Sequence, residues 1–111
     1  MMRPLPIAAS LMLALLPLGL AAQETTPTAG NAANGKQLTF TCQGCHGVVG
    51  YKNVYPTYHV PKIGGQSQPY LLNALTEYKQ GKRKHPTMQA QAESFSDQDI
   101  ADIAAFLSSL K

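Results

Sequence analysis

From position 96 onward the chain reads SDQDIADIAAFLSSLK, and Ile100, Ile103, Ala104, Leu107 and Leu110 recur at spacings of three and four. That period places them on one face of a helix. Ser96 with Asp99 three residues later forms a capping box, in which hydroxyl and carboxylate each satisfy a backbone N–H at the helix start. Asp97 and Asp99 also stand at the positive end of the helix dipole. Upstream, Ser67 opens a second helix, with Gln68 and Pro69 in its first turn. Leu71, Leu75 and Tyr78 follow at i, i+4 and i+7, and Gly81 closes it. A weaker helical segment runs from Asn34 to Cys42, NGKQLTFTC. No stretch carries a convincing strand pattern, so the expected fold class is all-α. Between the helices, 47–66 and 82–95 are rich in Gly, Pro, Tyr and Thr and read as loops. Loops of that length inside a small domain wrap something.

The N-terminal end reads differently. Arg3, an apolar run from Ile7 to Leu20 and the small residues Ala21 and Ala22 give the charged–apolar–small order of a secretory signal peptide over 1–22. The run is shorter than the ~20 residues a spanning helix needs, and Pro17 interrupts it. A cleaved leader is the reading, with a periplasmic destination. Residues 23–33, QETTPTAGNAA, hold no large apolar side chain and are expected as a flexible tail leading into one domain at 34–111.

A domain of this size buries only ~60% of its unfolded surface and commonly needs a staple, metal or cofactor. The chain has no Trp. A core of Leu, Ile, Ala, Val and Tyr alone would be thin, and something large and apolar in its middle would complete it. Charge excludes less than it suggests. The loss of Arg3 leaves eight Lys and Arg against six Asp and Glu, a net charge of +2. That is not the dominant basic face of a nucleic-acid binder.

The chemistry concentrates in TFTCQGCHG, residues 39–47, which holds both cysteines, Cys42 and Cys45, and His46 directly after them. A thioredoxin-like dithiol wants a βαβ setting. Structural zinc wants four ligands, and only His46, His59 and His85 stand beside the two cysteines, with no second paired cluster. A disulfide would close a very short loop and leave His46 unexplained. C-x-x-C-H is the motif of covalent haem attachment. In it Cys42 and Cys45 each bond one vinyl group, Gln43 and Gly44 make the turn between them, and His46 falls beneath the ring as an axial iron ligand. For the opposite face, Met1, Met2 and Met12 leave with the leader, so Met88 is the one methionine of the mature chain. Its thioether is a soft ligand that with His raises the reduction potential. His85 and His59 are the rivals, and core filling is the plainer role for Met88.

Taken together, CQGCHG, PKIGGQ at 61–66, YLLNALTEYKQGKR at 70–83, Met88 and FSDQDIADIAAFLSSL at 95–110 resemble the single-haem class I bacterial cytochromes c, of the cytochrome c553-like kind. The resemblance covers about 34–111. It implies a small helical bundle around one covalent haem c, with the first and last helices crossing near Gly35 against Ile103 and Phe106. It also implies that the Pro61 carbonyl accepts a hydrogen bond from His46, and that the protein carries single electrons without making bonds. Two features depart from the family pattern. The segment 47–60 is long and carries Tyr51, Tyr55 and Tyr58, read as cover for the ring, and the aromatic residue usual four before the first cysteine is Leu38 here, with Phe40 nearby. Lys79, Lys82, Arg83 and Lys84 form a candidate docking patch for acidic faces of reductases and oxidases. A permanent place as the haem c subunit of a larger dehydrogenase is the alternative.

Overall fold

The structure is a computed structural model, and it describes residues 29–50 and 59–111. Five α-helices follow in order: α1 (Ala32–Leu38), α2 (Gln43–His46), α3 (Gln68–Lys79), α4 (Pro86–Glu93) and α5 (Asp97–Ser109), with a 3₁₀ turn at Thr39–Cys42 joining α1 to α2. No strand occurs among the described residues, and the all-α expectation holds. The leader at 1–22, most of the tail, and Tyr51, Tyr55 and Tyr58 lie outside the described residues.

The C-terminal helix forms as its sequence dictates. Asp99 N–H donates to Ser96 Oγ at 3.1 Å, and Ser96 N–H donates to Asp99 Oδ2 at 2.9 Å, closing the capping box. Ile100, Ile103, Ala104 and Leu107 are all buried, and Leu110 packs partly buried at the helix end. In α3 the Ser67 cap holds the Tyr70 N–H at 3.4 Å. Gly81, at φ 69°, takes the left-handed turn beyond its end.

Two expectations need correction. The first helical segment begins at Ala32 rather than Asn34, because Asn31 caps it by accepting from the N–H groups of Ala33 and Asn34 at 3.0 and 3.3 Å. It also breaks into three pieces on its way to Cys42 and beyond. The stretch 82–95, expected as a loop, contains α4. His85 caps that helix by accepting the Met88 N–H on Nδ1 at 3.2 Å, and Pro86 occupies its first position. A histidine cap is outside the usual Ser, Thr, Asp and Asn set, and Ala92 is the helix's one buried residue, so neither a capping signal nor an apolar stripe marks it.

The α1–α5 crossing sets the frame. Gly35 is buried there, and a Cβ on it would collide with the Asp102 carbonyl and stand 2.9 Å from Phe106 Cβ. The crossing therefore falls at Gly35 as expected, with Phe106 and the Asp102 backbone as its closest neighbours. Leu38 packs against the core, whereas Phe40 is exposed. Asp102, 4% exposed, locks the crossing. It accepts the Asn31 N–H at 2.7 Å, Asn34 Nδ2 at 2.8 Å and Gln98 Nε2 at 2.9 Å. Those bonds, the Asn31 backbone first, hold its carboxyl below the ordinary carboxylate range against the opposing effect of burial.

Gly35→Ala should force the two helices apart and cost about 1–3 kcal/mol in chemical denaturation. For Asp102, a lowered folded-state value means stability that is present above the unfolded value of about 3.9 and lost as pH falls through the folded one. Thermal unfolding should therefore show wild type losing stability steeply below about pH 4. Asp102→Asn should start less stable at neutral pH and lose less on acidification.

Candidate functional site

One large cavity opens in the face framed by the 3₁₀ turn, α2, α3, α4 and α5. Its volume is about 460 Å³, within the range of small-molecule and cofactor sites. Cys42, Cys45, His46, Pro61 and Met88, which stand far apart in the chain, all line it. The i, i+4, i+7 face of α3 (Leu71, Leu75, Tyr78) forms one wall, and Ile103 and Leu107 of α5 contribute to its floor.

Each side chain has a local reason for its position. The 3₁₀ turn and α2 carry Cys42 and Cys45 round to the cavity, and Gly47 ends α2 at φ 55°, ψ 57°, a left-handed conformation suited to glycine. His46, just before that turn, is buried. Its Nδ1–H donates to the Pro61 carbonyl at 2.7 Å. A carbonyl only accepts, so a proton must sit on Nδ1, and in the neutral imidazole Nε2 keeps its lone pair. Burial pushes the Cys42 thiol up, a side-chain hydrogen bond with Thr41 offsets part of that rise, and the neighbouring Cys45 adds a smaller upward push. Met88 occupies the first turn of α4, fixed by the His85 cap. His85 Nδ1 is thereby engaged, while His59 is exposed at the cavity edge.

The lining also has a charge pattern. Among the described residues it contains no Asp or Glu, and its permanently charged members are Lys62 and Arg83. An apolar chamber with cations and no carboxylates suits a flat apolar ligand that carries acidic groups at one edge. Two thiols, a free imidazole nitrogen and a thioether in that chamber are the donors a covalently attached haem needs, so the residues present fit the group. A zinc site has less support, since among the described residues no three His, Cys, Asp or Glu side chains gather into a metal-binding group.

The four cations of the expected docking patch separate in space. Lys79 Nζ donates to the Phe95 carbonyl at 2.8 Å and pairs with Asp97 at 2.7 Å, tying the end of α3 to the start of α5. Arg83 turns back over Tyr70 and Tyr78. Lys82 and Lys84 remain exposed, the latter donating to the Gly81 carbonyl at 3.0 Å. Sequence reading missed the roles of Tyr70 and Arg83 in the cavity, and of Asp102 in the frame. Asp102 was open to detection, as the one acid inside the apolar run ADIAAFL.

Comparison with known proteins decides the family. A family model described as cytochrome c matches residues 32–111. The chain belongs to the cytochrome c family. It is 40% identical over 97 residues to cytochrome c4 of Pseudomonas aeruginosa, covering 87% of this chain and 46% of that protein. Cytochrome c-554(548) of Halomonas halodenitrificans is 43% identical over 84 residues, 73% of this chain and 98% of that one. The cytochrome subunit of sulfide dehydrogenase from Chlorobaculum tepidum is 32% identical over 109 residues, 89% of this chain and 96% of that one. This cytochrome thus spans about half the length of the cytochrome c4 it matches, and nearly the whole of the two shorter relatives. It is a class I c-type cytochrome, its cofactor is covalent haem c, and its family transfers electrons to protein partners.

Proposed function

We propose that this cytochrome is a periplasmic one-electron carrier, with haem c bonded to Cys42 and Cys45 and its iron ligated by His46 and Met88. The observation that carries the reading is the 2.7 Å bond from His46 Nδ1–H to the Pro61 carbonyl, which leaves Nε2 available in a cavity shared with both thiols and Met88. Haem iron supplies a one-electron exchange between its ferrous and ferric states. Pro61 orients the imidazole and raises its basicity. Met88 offers a soft thioether, which favours the ferrous state and raises the potential. With both axial positions held by side chains, no place is open for a small substrate, and that makes the protein a carrier rather than an enzyme. Two thioether links from Cys42 and Cys45 and a hydrogen-bonded His46 imidazole would hold the group in place in either oxidation state. The leader read over 1–22 supports export, and among the described residues no helix is long and apolar enough to cross a membrane.

A second reading has a specific observation behind it. Likeness to a sulfide dehydrogenase cytochrome subunit across nearly its whole length favours a haem c subunit that receives electrons inside a larger oxidoreductase. Co-purification at fixed stoichiometry distinguishes that from a diffusing carrier.

Met88→Ala should leave haem attached but open one axial position. The reduced variant should lose its low-spin spectrum, bind carbon monoxide and show a lower potential, and an unchanged spectrum would remove Met88 from the ligand set. For partner docking, the exposed Lys82 and Lys84 matter more than Lys79. Lys82→Gln with Lys84→Gln should slow electron transfer to an acidic partner about two- to fivefold at low salt and flatten its ionic-strength dependence. Lys79→Gln should instead lower the melting temperature and leave the salt dependence as it is.

A further inference from the structure

Two stretches of backbone meet beside the His46 imidazole, closely enough that one of them must be glycine. In the first, Gly47 ends α2 directly after His46, and Val48 follows it, buried. The second is PKIGG, residues 61–65. They are bridged twice. His46 Nδ1–H donates to the Pro61 carbonyl at 2.7 Å. Three residues further on, buried Gly64 lies so near Val48 that a Cβ built on it would stand 2.8 Å from the Val48 carbonyl oxygen. Leu110 closes the same spot from the end of α5, its Cδ1 3.3 Å from that Cβ position.

Gly65 then fixes the second stretch to α5. Its N–H donates to the Leu107 carbonyl at 2.8 Å. It holds φ 83°, a left-handed conformation that side chains resist, and a Cβ there would stand 3.1 Å from the Leu110 carbonyl oxygen. The Pro61 carbonyl therefore belongs to a segment seated on two backbones, the one that carries His46 and the end of α5.

We propose that Gly64 and Gly65 are positioning residues for the axial ligand: by seating 61–65 against Val48 and α5, they hold the Pro61 carbonyl at hydrogen-bond length from His46 and so set the reduction potential. This rests on the haem reading above. The bond draws the Nδ1 proton toward oxygen and makes the imidazole a stronger donor to iron. A stronger donor stabilises ferric over ferrous iron, so lengthening the bond raises the potential. General loosening acts the other way, because water admitted to the site favours the ferric charge and lowers the potential. The sign of the change separates the two effects.

The test uses the haem-loaded full chain and reads midpoint potential, visible spectrum and, by NMR of the reduced protein, exchange of the His46 ring proton. Gly64→Ala should keep the low-spin spectrum and exchange its ring proton faster than wild type. Its reduction equilibrium should shift about threefold toward the reduced form, roughly 30 mV at 59 mV per tenfold. Gly65→Ala, at an exposed position, should move the potential the same way by less. Gly35→Ala strains a backbone crossing outside the cavity lining and should lose stability without raising the potential. In the wild type itself, the Gly65 N–H and the His46 ring proton should be protected together. The proposal is overturned by a Gly64→Ala potential that stays or falls, or by an equal rise in Gly35→Ala. A wild-type ring proton that exchanges freely while the Gly65 N–H stays protected overturns it too. A colourless wild-type protein would instead strike the haem reading itself, which separates the two failures.

Discussion

The chain cannot fill its own centre. Helices α3 and α5 turn Leu71, Leu75, Ile103 and Leu107 inward, yet about 460 Å³ remains between them and the cysteine-bearing turn. Left to water, that surface would forfeit much of the burial on which a domain this small depends. The rest of the architecture answers to this constraint. The α1–α5 crossing, closed by Gly35 and locked by Asp102, is the part that the polypeptide completes unaided. The other side is a wall with a place for a ring, and Cys42 and Cys45 stand where that ring would be tethered.

Within that wall, the bond between His46 and Pro61 converts a packing position into a chemical one. It assigns the proton to Nδ1 and turns the remaining nitrogen into a donor. The loop that supplies Pro61 also lines the cavity through Val60 and Ile63, so one segment both lines the site and holds the imidazole of His46. Met88, also in the lining, owes its place to a helix whose cap is a histidine. His85 therefore supports the methionine's backbone, where sequence alone ranked it as a rival to it.

Much of this was legible in the sequence, and the misses have physical causes. The C-terminal helix announced itself because cap, dipole and apolar stripe agreed over more than three turns. The haem motif was legible because its five residues serve one ligand and little else. α4 was not, since it lacks both a standard cap and a buried stripe, and Pro86 marks a loop and a helix start equally well. The start of α1 was missed because its cap, Asn31, sits among small polar residues and is tied to Asp102, 71 positions away. The cluster Lys79, Lys82, Arg83, Lys84 looked like one patch because adjacency in sequence hides direction. A left-handed turn at Gly81 sends Arg83 toward the cavity, and Lys79 is already committed to Asp97.

The central claim is that a covalently held ring completes this core, and comparing the chain with and without it is the direct test. Thermal unfolding followed by circular dichroism should show one cooperative transition for the haem-loaded protein. The Cys42→Ala/Cys45→Ala chain, made without haem, should show none, with helical signal reduced at all temperatures. A haem-free chain that unfolds cooperatively at the same midpoint as the loaded one would contradict the account.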